Sequence, residues 1–142
     1  MSAVQAAEDI GQNALDESDD AEAILRSAVA FAAGYNARLS LAHVLELPRS
    51  TMEIDVVPYR KELKDDAEFK LRELKGSLGL DVPHSVLDPS DMTISEALSQ
   101  EAVRRQADLI ITGRGRAQHT FDRVWSRLYA LIRESPCPVL SI

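Results

Sequence analysis

The C-terminal stretch constrains this chain most. Leu109, Ile110 and Ile111 form a short apolar run that ends in Thr112-Gly113, followed by Arg114-Gly115-Arg116. Such a run, bounded by a turn signal, reads as a strand buried on both faces. Phe121, Val124, Trp125, Leu128, Leu131 and Ile132 then recur at helical spacing. Pro136 stops that helix, and Val139 to Ile142 reads as a second strand. Strand, glycine-containing loop, helix and strand make half of a parallel α/β domain. The loop also offers backbone N–H groups and a helix N-terminus, where anions can bind.

The upstream sequence repeats the alternation. Residues 1–9 read as a loose leader and residues 10–142 as a single α/β domain. Its first strand is assigned to Ile10 through Asp16, although Gly11, Gln12 and Asn13 fit a strand poorly. A helix follows, capped by Ser18 or Asp19, with Ile24, Leu25, Ala28, Phe31 and Ala32 on one face and Gly34 and Asn36 at its end. Arg38 to Leu45 is apolar on both alternating sets, as an interior strand should be. Residues 46–58 carry Pro48 and Pro58 without a clear period and read as a long loop. Leu63, Ala67, Leu71, Leu74 and Leu78 define a helix from about Tyr59 to Leu78. Val82 to Leu87 is a short strand, and Pro83 assigns it to a sheet edge. Thr93 with Glu96 is a capping box opening a helix that carries Ile94, Ala97, Leu98 and Val103. Strands alternating with helices at this spacing give a parallel sheet with helices on both faces.

At 142 residues the chain is one domain. Its single cysteine, Cys137, excludes an internal disulfide and a multi-cysteine metal site, and fits a reducing, cytoplasmic compartment. No apolar run approaches the roughly 20 residues of a membrane span, so no membrane insertion is expected. The net charge is −7. Residues 1–100 carry nine Lys+Arg against nineteen Asp+Glu, whereas residues 101–142 carry seven against four. That distribution disfavours nucleic acid and permits a small anionic ligand near the arginines.

These residues resemble the universal stress protein family. The resemblance rests on Ala107-Asp-Leu-Ile-Ile-Thr-Gly113, on Ser126, on the ending Ser135-Pro-Cys-Pro-Val-Leu140, on Asn36 to Val44, and on Asp16-Glu-Ser18. It implies a five-stranded parallel sheet in the order 3-2-1-4-5, with the ligand crevice where that order reverses, beyond Asp16 and Gly113. It implies a homodimer formed through the last strand, Val139 to Ile142. Family members that bind ATP do so through Gly-x-x-Gly, nine residues, then Gly-Ser/Thr. Carried over position by position, a nucleotide site would use Asp16, Val44, Gly113, Gly115, Arg116 and Ser126, with no metal ligand and no catalytic residue.

The chain departs from that pattern. Counting back from Ser126, Thr112 occupies the first glycine position and Gly113 falls one place late. Trp125 replaces the glycine before Ser126, and Glu17 replaces the glycine after Asp16. Glycines let a backbone approach phosphate oxygens, and a tryptophan there obstructs them. The expectation is therefore a non-catalytic regulatory module acting through an unidentified protein partner, without strong ATP binding. The alternative is an ATP- or AMP-binding regulator using the loop from 113 to 126, with a slow ATPase as a remoter variant. His43 reads as a satisfied core side chain, His84 as a surface residue, His119 as the histidine nearest the arginines, and Cys137 as a small buried apolar residue.

Overall fold

Parallel strands cannot be joined by tight hairpins, so each strand step must be a crossover. The computed structural model describes the backbone of residues 2–7, 16–45, 56–89, 91–113 and 129–142, and side chains within 21–45, 60–89, 91–113 and 129–142. The elements are β1 (Ser2–Ala7), α1 (Asp16–Gly34), β2 (Arg38–Val44), α2 (Val56–Ser77), β3 (His84–Leu87), α3 (Ile94–Arg104), β4 (Leu109–Thr112) and β5 (Val139–Ser141). Residues 129–134 are helical before β5 and belong to α4. The strands lie in one sheet, β3-β2-β1-β4-β5, and every pairing is parallel.

The chain steps one way along the sheet from β1 to β3 and the opposite way from β3 to β5. Right-handed crossovers then put α1 and α2 on one face and α3 and α4 on the other. The buried side chains divide accordingly. Leu25, Ala28 and Ala32 of α1 pack with Leu39, Leu41 and Ile111, and Leu74 of α2 and Leu78 just past its end lie against them. Ala97, Leu98 and Ala102 of α3 pack with Leu131 of α4 and with Ala42, Val44 and Ile110. Successive residues of β2 and β4 thus serve opposite cores, which is why both strands read as continuous apolar runs.

Three boundaries differ from the sequence reading. Ser2–Ala7 forms the strand between β2 and β4, which corrects the loose leader assigned to residues 1–9 and places the first strand of the sheet ahead of the expected Ile10 through Asp16. Ser2–Ala7 contains no glycine or proline to interrupt its ladder. Residues 8–15 lie outside the described residues. Asp16 opens α1, ahead of the expected caps Ser18 and Asp19. Asp16, Glu17, Asp19 and Asp20 all fall in its first five residues, near the positive end of the helix dipole. The third change is α2, which starts at Val56 rather than Tyr59. Pro58 is tolerated there because first-turn N–H groups have no helical partner. The rest of the expected loop, residues 46–55, lies outside the described residues.

Three helices end alike. Asn36, Gly79 and Gln106 take φ of 52°, 63° and 55°, after α1, α2 and α3. The next residue in each case returns its N–H to an earlier helical carbonyl: Ala37 to Ala32, Leu80 to Lys75 and Ala107 to Ala102, at 2.8, 2.9 and 2.8 Å. These closures satisfy carbonyls that a helix end leaves unpaired. At the other end of α3 the expected capping box is present. The Glu96 N–H donates to Thr93 Oγ1 and the Thr93 N–H to Glu96 Oε2, each at 3.2 Å. Among the described residues no helix is long and apolar enough to cross a membrane.

A buried carboxylate ties α3 to the sheet edge. Glu101 is 4% exposed. Its Oε1 accepts from Ser85 Oγ at 2.9 Å and from Arg105 Nε at 3.0 Å, and its Oε2 from Arg104 Nε at 2.8 Å. Arg104 and Arg105 also donate to Ser85 Oγ, at 3.0 and 2.8 Å. Burial disfavours the charged carboxylate, but the bonds from Arg104, Arg105 and Ser85 together outweigh it and hold Glu101 below its ordinary value of 4.5. A lowered folded-state value means stabilisation present above the unfolded value and lost as pH falls through the folded one. We expect Glu101→Gln to cost about 2–3 kcal/mol at pH 7 in urea unfolding, with the gap to wild type narrowing below pH 4.5. A gap independent of pH would contradict this account.

Candidate functional site

Ligands of open α/β sheets bind where the strand order reverses, at the carboxyl ends of the strands. Here that place lies between β1 and β4. Thr112 of β4 is level with Ala6 of β1, which is level with Ala42 of β2. Gly113 therefore leaves the sheet near the end of β1, and Val44, which closes β2, lies two residues beyond Ala42. Asp16 begins α1, the helix that follows β1.

The expected site residues divide into three groups. Gly115, Arg116 and Ser126 lie outside the described residues, as do Trp125 and His119. Asp16 is placed only by its backbone, as the first residue of α1. Val44 and Gly113 are fully described. The Val44 side chain is 1% exposed and belongs to the core beneath α3 and α4. Only its backbone is left to face a ligand.

The side chain of Ile24 occupies the space where a Cβ of residue 113 would stand. A Cβ there would collide with Cδ1 of Ile24 and stand 3.2 Å from its Cγ1. Among the described glycines only Gly79 has positive φ, so Gly113 meets a demand for space rather than for a left-handed backbone. Ile24, in the third turn of α1, rests directly on the chain as it leaves β4. The preceding Thr112 is 2% exposed and paired in the sheet, with its carbonyl accepting from the Ile142 N–H at 2.9 Å. The position where a nucleotide-binding relative would carry its first loop glycine is thus a buried strand residue.

The remaining candidates fall as follows. His43 is 6% exposed, in line with a core role. Cys137 is half-buried rather than fully buried; it packs at the margin of the α3/α4 core, and its carbonyl accepts from Ser135 Oγ at 2.6 Å. His84, read from sequence as a surface residue, is corrected: its side chain is 14% exposed. It stands between Glu68 and Lys75 of α2, with Nε2 2.7 Å from Glu68 Oε2 and Nδ1 3.0 Å from Lys75 Nζ. Neither this group nor the Glu101 cluster was found by sequence reasoning. The spacing of Glu101 to Arg104 and Arg105 was an available signal. The pairing of His84 with α2 was not, because it depends on how the helix end meets an edge strand. Among the described residues no three His, Cys, Asp or Glu side chains converge as metal ligands would.

The model of the universal stress protein family matches residues 13–142. The chain belongs to the universal stress protein family. No curated protein sequence matches it. Solved structures similar to it include universal stress protein UspA from Lactobacillus plantarum, at 20% identity and TM-score 0.69, covering 99% of this chain and 97% of that one. Another is the universal stress protein from Archaeoglobus fulgidus in complex with dAMP, at 21% identity and TM-score 0.58, covering 100% and 97%. A third is a universal stress protein in complex with cAMP, at 19% identity and TM-score 0.57, covering 100% and 95%. At these identities the likeness establishes a shared universal-stress-type α/β fold.

In this family member the Ile24–Gly113 contact makes a direct prediction. Gly113→Ala should destabilise by about 1 kcal/mol, the cost of turning the terminal Cδ1 of Ile24 out of its rotamer. Adding Ile24→Ala should recover part of that loss relative to the sum of the two single changes, because the two sites share one space. Urea unfolding of the four proteins checks it; additive losses would exclude the contact as the cause.

Proposed function

We propose that this universal stress protein is a non-catalytic regulatory module of the cytoplasm that works by binding another protein and holds ATP weakly at most. The observation that carries this reading is the state of the strand end at the crevice. Thr112 is locked in the sheet, and the one described glycine after it is occupied by Ile24. Backbone there is committed to packing and is poorly suited to close approach by phosphate oxygens. The opening of α1 adds to this, since four acidic residues within its first five lie at the helix end that would otherwise favour an anion. Trp125 and Glu17 in place of glycines point the same way. Equilibrium dialysis with labelled ATP and Mg²⁺ tests it: we expect no binding near millimolar concentration, and retention of ATP through purification would overturn it.

A second reading is favoured by the similar structures solved with dAMP and cAMP. In it, Asp16, Val44, Gly113, Gly115, Arg116 and Ser126 hold ATP or AMP and the chain is a nucleotide-responsive regulator. Saturating AMP or ATP would then raise the melting temperature, because a ligand specific to the native state stabilises it. An unchanged melt removes this alternative.

We further propose a homodimer formed through β5. Among the described residues this strand pairs with β4 alone and ends the sheet, and an open strand edge is a template for pairing with another chain. Deleting residues 139–142 should give monomer or insoluble protein by size-exclusion chromatography with light scattering. A soluble dimer after the deletion would refute this interface.

A further inference from the structure

We propose that Lys75 is a self-acylating site, activated by His84 and Glu68 toward small acyl phosphates. The three side chains form a relay of carboxylate, imidazole and amine: Glu68 Oε2 to His84 Nε2 at 2.7 Å, and His84 Nδ1 to Lys75 Nζ at 3.0 Å. An ammonium group only donates, so Nδ1 accepts from Lys75 and the imidazole proton sits on Nε2, donated to Glu68. This is the arrangement of a nucleophile beside a base that a third group orients. The imidazole is largely shielded, at 14% exposure, while Glu68 is 32% exposed and the Lys75–His84 bond is only part-buried. Arg72, three residues before Lys75 on α2, reaches Glu68 Oε2 only loosely, at 3.9 Å, and stays 73% exposed, a cation beside the relay that can also meet the phosphate of the acyl donor.

The step balances without a further reagent. Lys75 passes one ammonium proton to His84 Nδ1, and the resulting imidazolium is held by Glu68. The free amine attacks the acyl carbon. The C–N amide bond forms as the C–O bond to phosphate breaks. Phosphate leaves as the hydrogen phosphate dianion, one proton goes to water, and His84 returns to neutral by releasing the proton to the departing phosphate. The lysine charge is lost.

The chain supplies its own controls. Its lysines are Lys61, Lys64, Lys70 and Lys75, all on α2. Lys61 and Lys64 are exposed, and Lys70 pairs with Asp66 at 3.1 Å. Only Lys75 meets an imidazole among the bonds described. Purified full-length protein incubated with acetyl phosphate, with each lysine's labelling rate followed by peptide mass spectrometry, tests the proposal. Lys75 should be acetylated on the order of tenfold faster than Lys61 or Lys64, as expected of general-base assistance. His84→Gln should abolish that advantage and leave the other three rates unchanged, which also reports that α2 is intact. Glu68→Gln should reduce it in part. Equal labelling of the four lysines in the wild-type protein, or a Lys75 rate untouched by both variants, would overturn the assignment.

Discussion

Ile24 of α1 and Gly113 meet where the two halves of this sheet join, just past the β1–β4 ladder. The strand order reverses between β1 and β4, and helices leave the two strands for opposite faces. Such a divergence opens a crevice unless something fills it. Here a branched side chain from α1 lies on the bare backbone that follows β4. The neighbours of this contact in sequence, Leu25 on α1 and Ile111 on β4, pack in one core. What is usually ground for a ligand is partly ground for packing. The proposal of a binding module with little hold on ATP follows from that single exchange of roles.

Local signals in the sequence were readable where the chemistry is local. Thr93 and Glu96 form their box within one turn, so the spacing alone located the start of α3. Asn36 and Gly79 are residue types that accept a left-handed backbone, and both stand at helix ends. Gln106 adopts the same conformation with no such chemistry, because the closure from Ala107 to Ala102 imposes it. The first strand was misplaced for a related reason. Ala3, Val4 and Ala6 carry little strand signal of their own, and what makes them a strand is pairing with β2 and β4 on both sides. Pairing partners distant in sequence cannot be read from a short window.

The candidate site was legible in part. Gly113 stood out as special, but the physical reason differed: space for Ile24 rather than approach by phosphate. Val44 was placed at the right strand end, yet its side chain belongs to the core. The polar clusters were the least visible. Glu101 gathers Arg104 from its own helix, the capping Arg105 and Ser85 from β3, and His84 bridges two residues of α2 that are seven apart. Each needs an edge strand to arrive against a helix before its chemistry exists. Both clusters therefore link β3 to the helices on its two sides, α2 on one face and α3 on the other. An edge strand of four residues with Pro83 before it has few ladder bonds, and these side chains hold it in place.

The confinement of every lysine to α2 has a practical consequence. Any reagent that couples to side-chain amines, whether a dye or a sensor surface, will grasp the molecule by that one helix. The tether falls on the side of the sheet shared with α1. The opposite side and the far edge strand are then presented uniformly to whatever flows past, so immobilisation through lysine, with the α-amino group blocked, would yield an oriented layer without an added tag.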